Sequence, residues 1–272
     1  MYDYAGTMDY LQGQVFETYS SHNLRRLSGE LPEKESSKAV CKILSERVQN
    51  GAKILEVGSS SGHLLRSLGA MGLEIQYVGV DIDNYAVSKG NEFISKNSIH
   101  GISHAELLLS GAEELPFSDK SFDICISLNV LEHLKEPRKA IAELIRCSKE
   151  FILIRTLMSD QTFIVQEARN RNHQELGYEH LELPTPLEEI DEEGNPRVTI
   201  YQNVYGLEFM KETLMKRFKI EKFKIWADDM FSEEAFKIDN ELSTLPRVTK
   251  VIGGRQVRGL FIDTNHWILI EK

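Results

Sequence analysis

The sequence is poor in the residues that staple small proteins together. It holds three cysteines (Cys41, Cys125 and Cys147), scattered, odd in number and without CxxC spacing. That set excludes a disulfide framework or a cysteine-based zinc site and reads as reduced, mostly buried thiols of a cytoplasmic protein. No apolar run approaches the roughly 18 residues that a membrane span needs. The opening MYDYAGTMDY has neither a basic n-region nor an apolar h-region, so no secretory signal is expected. Positive charge is also short, the net charge being -10 at pH 7. Nucleic-acid binding needs clustered Lys and Arg against phosphates, so this balance counts against that class of partner. Internal repeats and low-complexity tracts are absent too. What is present is ordinary globular material, 272 residues that are 41% hydrophobic and 27% charged. A chain this long buries enough surface to fold without disulfides or a structural metal.

The pattern divides the chain into four stretches. Residues 1–50 form an N-terminal helical segment around the polar break SGELPEKESS. After the break, Ala39, Val40, Ile43, Leu44 and Val48 keep helical spacing, with Ser36 or Ser37 as N-cap. Residues 51–158 alternate strands (AKILEVG, YVGVD, HAELLLSG, SFDICISLNV, EFILIRTLM) with helices. Leu64, Leu65, Leu68 and Met71 form one inner helix face, and Asp83 caps the next helix, with Ala86, Val87, Phe93 and Ile94 inward. Pro137 opens the helix whose inner face is Ala140, Ile141, Leu144 and Ile145. Such alternation implies right-handed βαβ units and a mostly parallel sheet. Residues 159–205 break it with a polar, acidic stretch containing three prolines. Residues 206–272 return with a helix (207–217), a strand (218–227), an irregular stretch (228–256) and a final strand (259–272). Both irregular stretches read as insertions forming a cap over an active site, or else as surface loops.

Three blocks carry the chemistry. ILEVGSSSGHLL (54–65) is strand, glycine-serine turn and helix start. Gly58 permits the tight turn, and the N–H groups that follow favour a polar or anionic group. A dinucleotide GxGxxG fails, because positions 60 and 63 hold Ser60 and His63. One βα unit later Asp81 ends a strand, where an acid either accepts hydrogen bonds from ribose hydroxyls or merely caps the next helix. The third block is GAEELPFSDKSFDICISLNVLEHLKEPRKAI (111–141).

Together, in this order, the blocks resemble the class I S-adenosylmethionine-dependent methyltransferases, in particular the group with the AEELPF…SFD…LEH signature, over roughly residues 50–158. The VTIYQNVYGLEFMKETL and IWADDMF stretches are loosely similar to bacterial polysaccharide and secondary-metabolite methyltransferases. The resemblance implies an α/β, Rossmann-like, seven-stranded, mostly parallel sheet with an antiparallel last strand, helices on both faces and cap insertions. It implies S-adenosylmethionine as cofactor and S-adenosylhomocysteine as product. Residue by residue, Glu56 supports the turn and approaches the methionine amino group. Gly58, Ser59, Ser60 and Gly62 let the cofactor lie on the sheet edge. Asp81 takes the ribose, Ile82, Ala112 and Glu113 line the adenine, and Asn129 stands by the methionine moiety. Two positions depart from the family. Ser60 replaces the middle glycine, which is tolerable if its φ is negative, and Gly111 replaces an acid, leaving adenine to Ser110, Glu113 or backbone.

An acceptor hydroxyl needs a base. His133, just past the fourth strand, is the best-placed histidine, or else only organises its turn; His173 and His180 in the first insertion could reach over as a cap closes. Asp228 and Asp229 lack a third ligand and read as solvated, so no metal is expected. Tyr201, Tyr205, Trp226 and Phe231 read as an apolar or sugar-stacking wall, with Trp226, at a strand end, alternatively a core residue. The reading is O-methylation of a small molecule, glycan or nucleotide sugar. N- or C-methylation, a non-catalytic binding protein on this fold and, least favoured, a nicotinamide oxidoreductase are the rivals. The N-terminal helices serve as a lid or as a homodimer contact.

Overall fold

A computed structural model describes residues 14–164, 166–168, 199–201, 203–229, 249–252, 255–258 and 264–272. The first five strands are β1 (Lys53–Val57), β2 (Ile75–Asp81), β3 (Ile102–Leu109), β4 (Phe122–Leu128) and β5 (Ser148–Ser159). Helices between and before them are α1 (Gln14–Ser28), α2 (Glu35–Leu44), α3 (Leu64–Gly69), α4 (Asn84–Lys96) and α5 (Pro137–Cys147). Then follow β6 (Gln166–Ala168), β7 (Thr199–Tyr201), β8 (Tyr205–Gly206), α6 (Leu207–Glu212), a π turn (Thr213–Arg217), β9 (Phe223–Ala227), β10 (Thr249–Ile252), β11 (Arg255–Arg258) and β12 (Thr264–Glu271).

The main sheet runs β3-β2-β1-β4-β5-β12-β9, with β12 antiparallel to both β5 and β9. The other pairings along it are parallel. The central strands are apolar on both faces because both faces are covered. Ile54, Tyr77, Ile126 and Leu153 join the core under α2, α3 and α4. Their neighbours Leu55, Val78, Cys125 and Ile152 join the opposite core under α5 and α6. Alternation along a strand thus becomes two separate cores. The chain leaves β1 toward β2 and returns for β4 on its other side. This switch point lies at the C-terminal strand ends, where α/β sheets take their ligands.

Asp83 caps α4 as expected, accepting the Tyr85 and Ala86 N–H groups, and Pro137 opens α5. Four expectations need correction. Neither Ser36 nor Ser37 caps α2, which starts at Glu35 with Ser37 buried in its first turn. The eighth strand, two-residue β8, pairs onto the end of β5, so the sheet is larger than the seven strands expected. The strand expected over 218–227 begins only at Phe223. Lys219 takes φ +56 after the π turn, and that left-handed residue turns the chain before extended pairing starts. Lastly, the stretch 228–256 is not wholly irregular, since β10 and β11 form an antiparallel pair.

Candidate functional site

The glycine turn is tied to β2. Gly58 and Ser59 both donate their N–H to Val80 O, at 2.8 and 3.0 Å. Gly58 has φ +83, and a Cβ there would come 2.1 Å from Val130 Cγ2, so only glycine lets the loop after β4 lie this close. Ser60 takes φ +49, so the negative angle that would make a serine easily tolerable there is not the one it adopts. The reason lies in its partners. Its N–H donates to Asp81 Oδ2 at 2.7 Å, and its hydroxyl accepts from Asn23 Nδ2 at 3.0 Å. Gly62, φ +79, closes the turn onto Ser59 O.

Asp81 holds the same turn from the other side, its Oδ1 accepting the Asp83 N–H at 2.9 Å. Each carboxylate oxygen keeps a further lone pair for a ligand hydroxyl. Burial raises its pKa to about 6, opposed by the Asp83 and Ser60 N–H groups. Glu56, beneath the turn, is 1% exposed. Its Oε2 accepts from the Tyr77 hydroxyl, while Oε1 has no partner. Burial pushes Glu56 up to about 8; the Tyr77 hydrogen bond opposes this, Asp81 adds to it and Lys34 opposes it. His63, at the head of α3, is held well below the usual imidazole range by burial and by the Lys34 and Arg26 charges.

At the end of β2, Ile82 is half-buried; in the turn after β3, Ala112 is buried and Glu113 half-buried. The Ser110 hydroxyl donates within its own turn, to Gly111 O at 3.2 Å and Glu114 O at 3.4 Å.

The turn after β4 forms the other wall. Asn129 (φ +57) is exposed, and its Oδ1 accepts from Arg155 Nη1 at 2.6 Å. Arg155 in turn donates from Nε to Asp228 Oδ2 at 2.7 Å, the two side chains being 7% and 2% exposed. Asp228 is therefore not the solvated acid expected of it; it neutralises a buried guanidinium. Asp229 is exposed. Glu132, 1% exposed, accepts from Thr156 Oγ1 at 2.9 Å and, through its carbonyl, from Asn203 N at 2.8 Å. Tyr205 is buried with its hydroxyl on Leu131 O at 2.6 Å, so it belongs to the core rather than to a stacking wall. Trp226 is half-buried against the core under α2, α3 and α4.

His133 is exposed and its Nδ1 lies 3.0 Å from Tyr201 O. A carbonyl only accepts, so Nδ1 carries the proton and Nε2 is the basic nitrogen. His173, His180 and Phe231 lie outside the described residues.

Sequence reasoning read this N-terminal segment as helical but missed the polar contacts of α1 with the glycine turn. Ser20 donates to Asp83 Oδ2 at 2.6 Å, Ser61 donates to Ser20 O at 3.0 Å, and fully buried Asn23 reaches Ser60. α1 therefore packs onto the glycine turn. Ser20, Asn23 and Leu27 share one helix face, the only sequence signal for it. Arg155 and Glu132 were missed as well; both sit in apolar strand or turn patterns.

Residues 55–150 match the methyltransferase domain family. An uncharacterised methyltransferase of Mycobacterium marinum is 31% identical over 99 residues, 36% of each chain. YcgJ of Bacillus subtilis, an uncharacterised methyltransferase, is 29% identical over 105 residues, 38% of this chain and 40% of that protein. The matched segment thus spans little more than a third of the curated relatives. Among solved structures, phosphoethanolamine N-methyltransferase 2 of Haemonchus contortus, in complex with S-adenosyl-L-methionine, superposes with TM-score 0.59 at 13% identity, over 98% of this chain and 60% of that one. The [4+2]-cyclase SpnF gives TM-score 0.51 at 13% identity, over 86% and 81%. Residues 55–150 of this chain are thus similar to the methyltransferase domain family, and its fold is shared with these solved structures.

Proposed function

We propose that the chain binds S-adenosylmethionine along the C-terminal edge of β1, β2 and β3 and methylates an oxygen of a small-molecule or glycan acceptor. The observation that carries the cofactor reading is Glu56 Oε1, a buried carboxylate oxygen without a partner at the foot of the glycine turn. An acceptor stranded in the interior costs about 1–3 kcal/mol, and a ligand ammonium would satisfy it. The bound S-adenosylmethionine of the Haemonchus contortus enzyme, on the same fold, supports this reading.

In this reading Asp81 takes the ribose hydroxyls on its remaining lone pairs, and Ile82, Ala112 and Glu113 line the adenine. Gly58, Ser59, Ser60 and Gly62 bring backbone close to the ligand. Asn129, fixed by Arg155, stands beside the methionine moiety. When bound, the cofactor supplies an electrophilic sulfonium methyl group. His133 accepts the acceptor's hydroxyl proton at Nε2 while Nδ1 remains on Tyr201 O, so the ring is oriented before the proton moves. His173 and His180 are the other candidates for this base. The acceptor enters over the turn 129–134, which the segment 201–205 clamps through Tyr201, Asn203 and Tyr205.

A [4+2]-cyclase on this fold means that fold alone does not establish methyl transfer. The test is therefore in two steps. Calorimetric titration with S-adenosylmethionine, S-adenosylhomocysteine and NADH should give micromolar binding of the two adenosyl ligands alone, lost in Asp81→Ala. Labelled methyl should then pass to hydroxyl-bearing acceptors, with nucleotide sugars tried first. Absence of adenosyl binding sinks the cofactor reading, and transfer only to nitrogen or carbon sinks the oxygen-specific part.

A further inference from the structure

Two buried acceptor oxygens at the glycine turn have no partner. One is Glu56 Oε1, on β1 two residues before Gly58; the other is Asn23 Oδ1, on α1, from the side chain that donates to Ser60. Both residues are almost completely removed from solvent, Glu56 at 1% and Asn23 at 0% exposure. Buried polar side chains are nearly always hydrogen-bonded, so a pair of exceptions associated with one turn calls for a common cause. The placement of Asn23 is not accidental. Its Nδ2 is held by Ser60 Oγ, and α1 is pinned one turn earlier by the Ser20 bond to Asp83 and the Ser61 bond to Ser20 O. The amide oxygen is thus left over from a side chain whose other end is fixed. A neutral hydroxyl could satisfy one such acceptor, but an ammonium carries three donors and can satisfy both.

We propose that Asn23 Oδ1 accepts a hydrogen bond from the α-ammonium group of the amino-acid tail of the adenosyl ligand, together with Glu56. The assignment rests on the cofactor reading above and adds a ligand contact from outside the family-matched residues 55–150. It also gives Ser60 a use: the hydroxyl that replaces a glycine hydrogen is what orients the Asn23 amide.

The test compares S-adenosylhomocysteine with 5′-methylthioadenosine, which keeps the nucleoside and thioether but lacks the amino acid. Asn23→Ala should weaken S-adenosylhomocysteine about tenfold or more, as expected for a hydrogen bond to a charged group, and leave 5′-methylthioadenosine within about twofold. Asn23→Asp keeps an oxygen acceptor and adds charge, so it should restore or exceed the wild-type preference for the tailed ligand. Equal losses for the two ligands would mean that Asn23 acts only through Ser60 and Asp81, and this overturns the proposal, as does no loss at all. Should the alanine variant not fold, the aspartate variant decides alone: its preference for the tailed ligand must rise by about threefold or more, because a charge-assisted bond is the stronger one. Wild-type protein that binds neither ligand removes the cofactor reading itself, an outcome distinct from equal losses.

Discussion

Ser60→Gly restores the family residue, yet it should destabilise this protein. Ser60 holds φ +49, a left-handed conformation that costs a non-glycine residue about 1–2 kcal/mol. Glycine releases that strain but brings back about 0.5–1 kcal/mol of unfolded-chain entropy. It also removes the hydroxyl that accepts from Asn23 Nδ2 at 3.0 Å, stranding a fully buried donor. That loss costs about 1–3 kcal/mol. The net is a destabilisation of about 1 kcal/mol, or about 2–4 °C in Tm for a chain of this size. In an Asn23→Ala background the donor is gone, only strain and entropy remain, and Ser60→Gly should stabilise by about 0.5–1 kcal/mol. The sign of one substitution therefore reverses with a residue on another element. Urea unfolding of wild type, both single variants and the double variant measures this as a coupling of about 2 kcal/mol. Additivity within about 0.5 kcal/mol would refute the reasoning, as would Ser60→Gly stabilising the otherwise unchanged protein.

The remaining predictions concern charge. Glu56 has a folded pKa of about 8, above the ordinary carboxylate value, so its contribution to stability is full below pH 4.5 and is lost as pH rises toward 8. Glu56→Gln should therefore raise Tm more at pH 8 than at pH 5; an equal effect at both would contradict burial as the cause. Binding an ammonium-bearing ligand at pH 7 should draw a proton off Glu56, seen as a binding enthalpy that changes with the buffer's ionisation enthalpy. Asp228→Ala leaves the Arg155 guanidinium buried without its carboxylate, and should cost about 3–5 kcal/mol in urea unfolding, against well under that for Asp229→Ala. His133→Gln should cut turnover about 10²–10⁴-fold if His133 is the base, while Tm barely moves because the ring is exposed; retained turnover transfers the role to another group.

The core was legible because its signals are local. The buried strands are apolar runs, β1 followed by Gly58 and β2 ended by Asp81, and the helices between them show their inner faces at 3.6-residue spacing. Asp83 and Pro137 mark their helix starts by chemistry acting within three residues. Alternation misled at FKIEKFKIWA, where the period of a strand continues through residues that the π turn and Lys219 bend away. Nothing in a period reports a left-handed backbone angle at a lysine.

The candidate site was legible only where one residue suffices for its own geometry. Gly58 and Gly62 announce positive φ, and Asp81 announces an acid at a strand end. The angle at Ser60 could not be read, because it depends on a hydrogen bond to a residue 37 positions earlier. Arg155 lies in an apolar strand, and its partner Asp228 is 73 residues away. Glu132 sits inside the LEH block, yet its partner Thr156 is on the next strand. All three are polar groups inside the protein, and a buried polar group must find its partner wherever the topology brings one. Topology comes from the strand order, so these contacts follow from the fold and not from any spacing. Asn23 belongs with them: its segment was read as helix, but its burial and its half-satisfied amide exist only once α1 lies on the glycine turn.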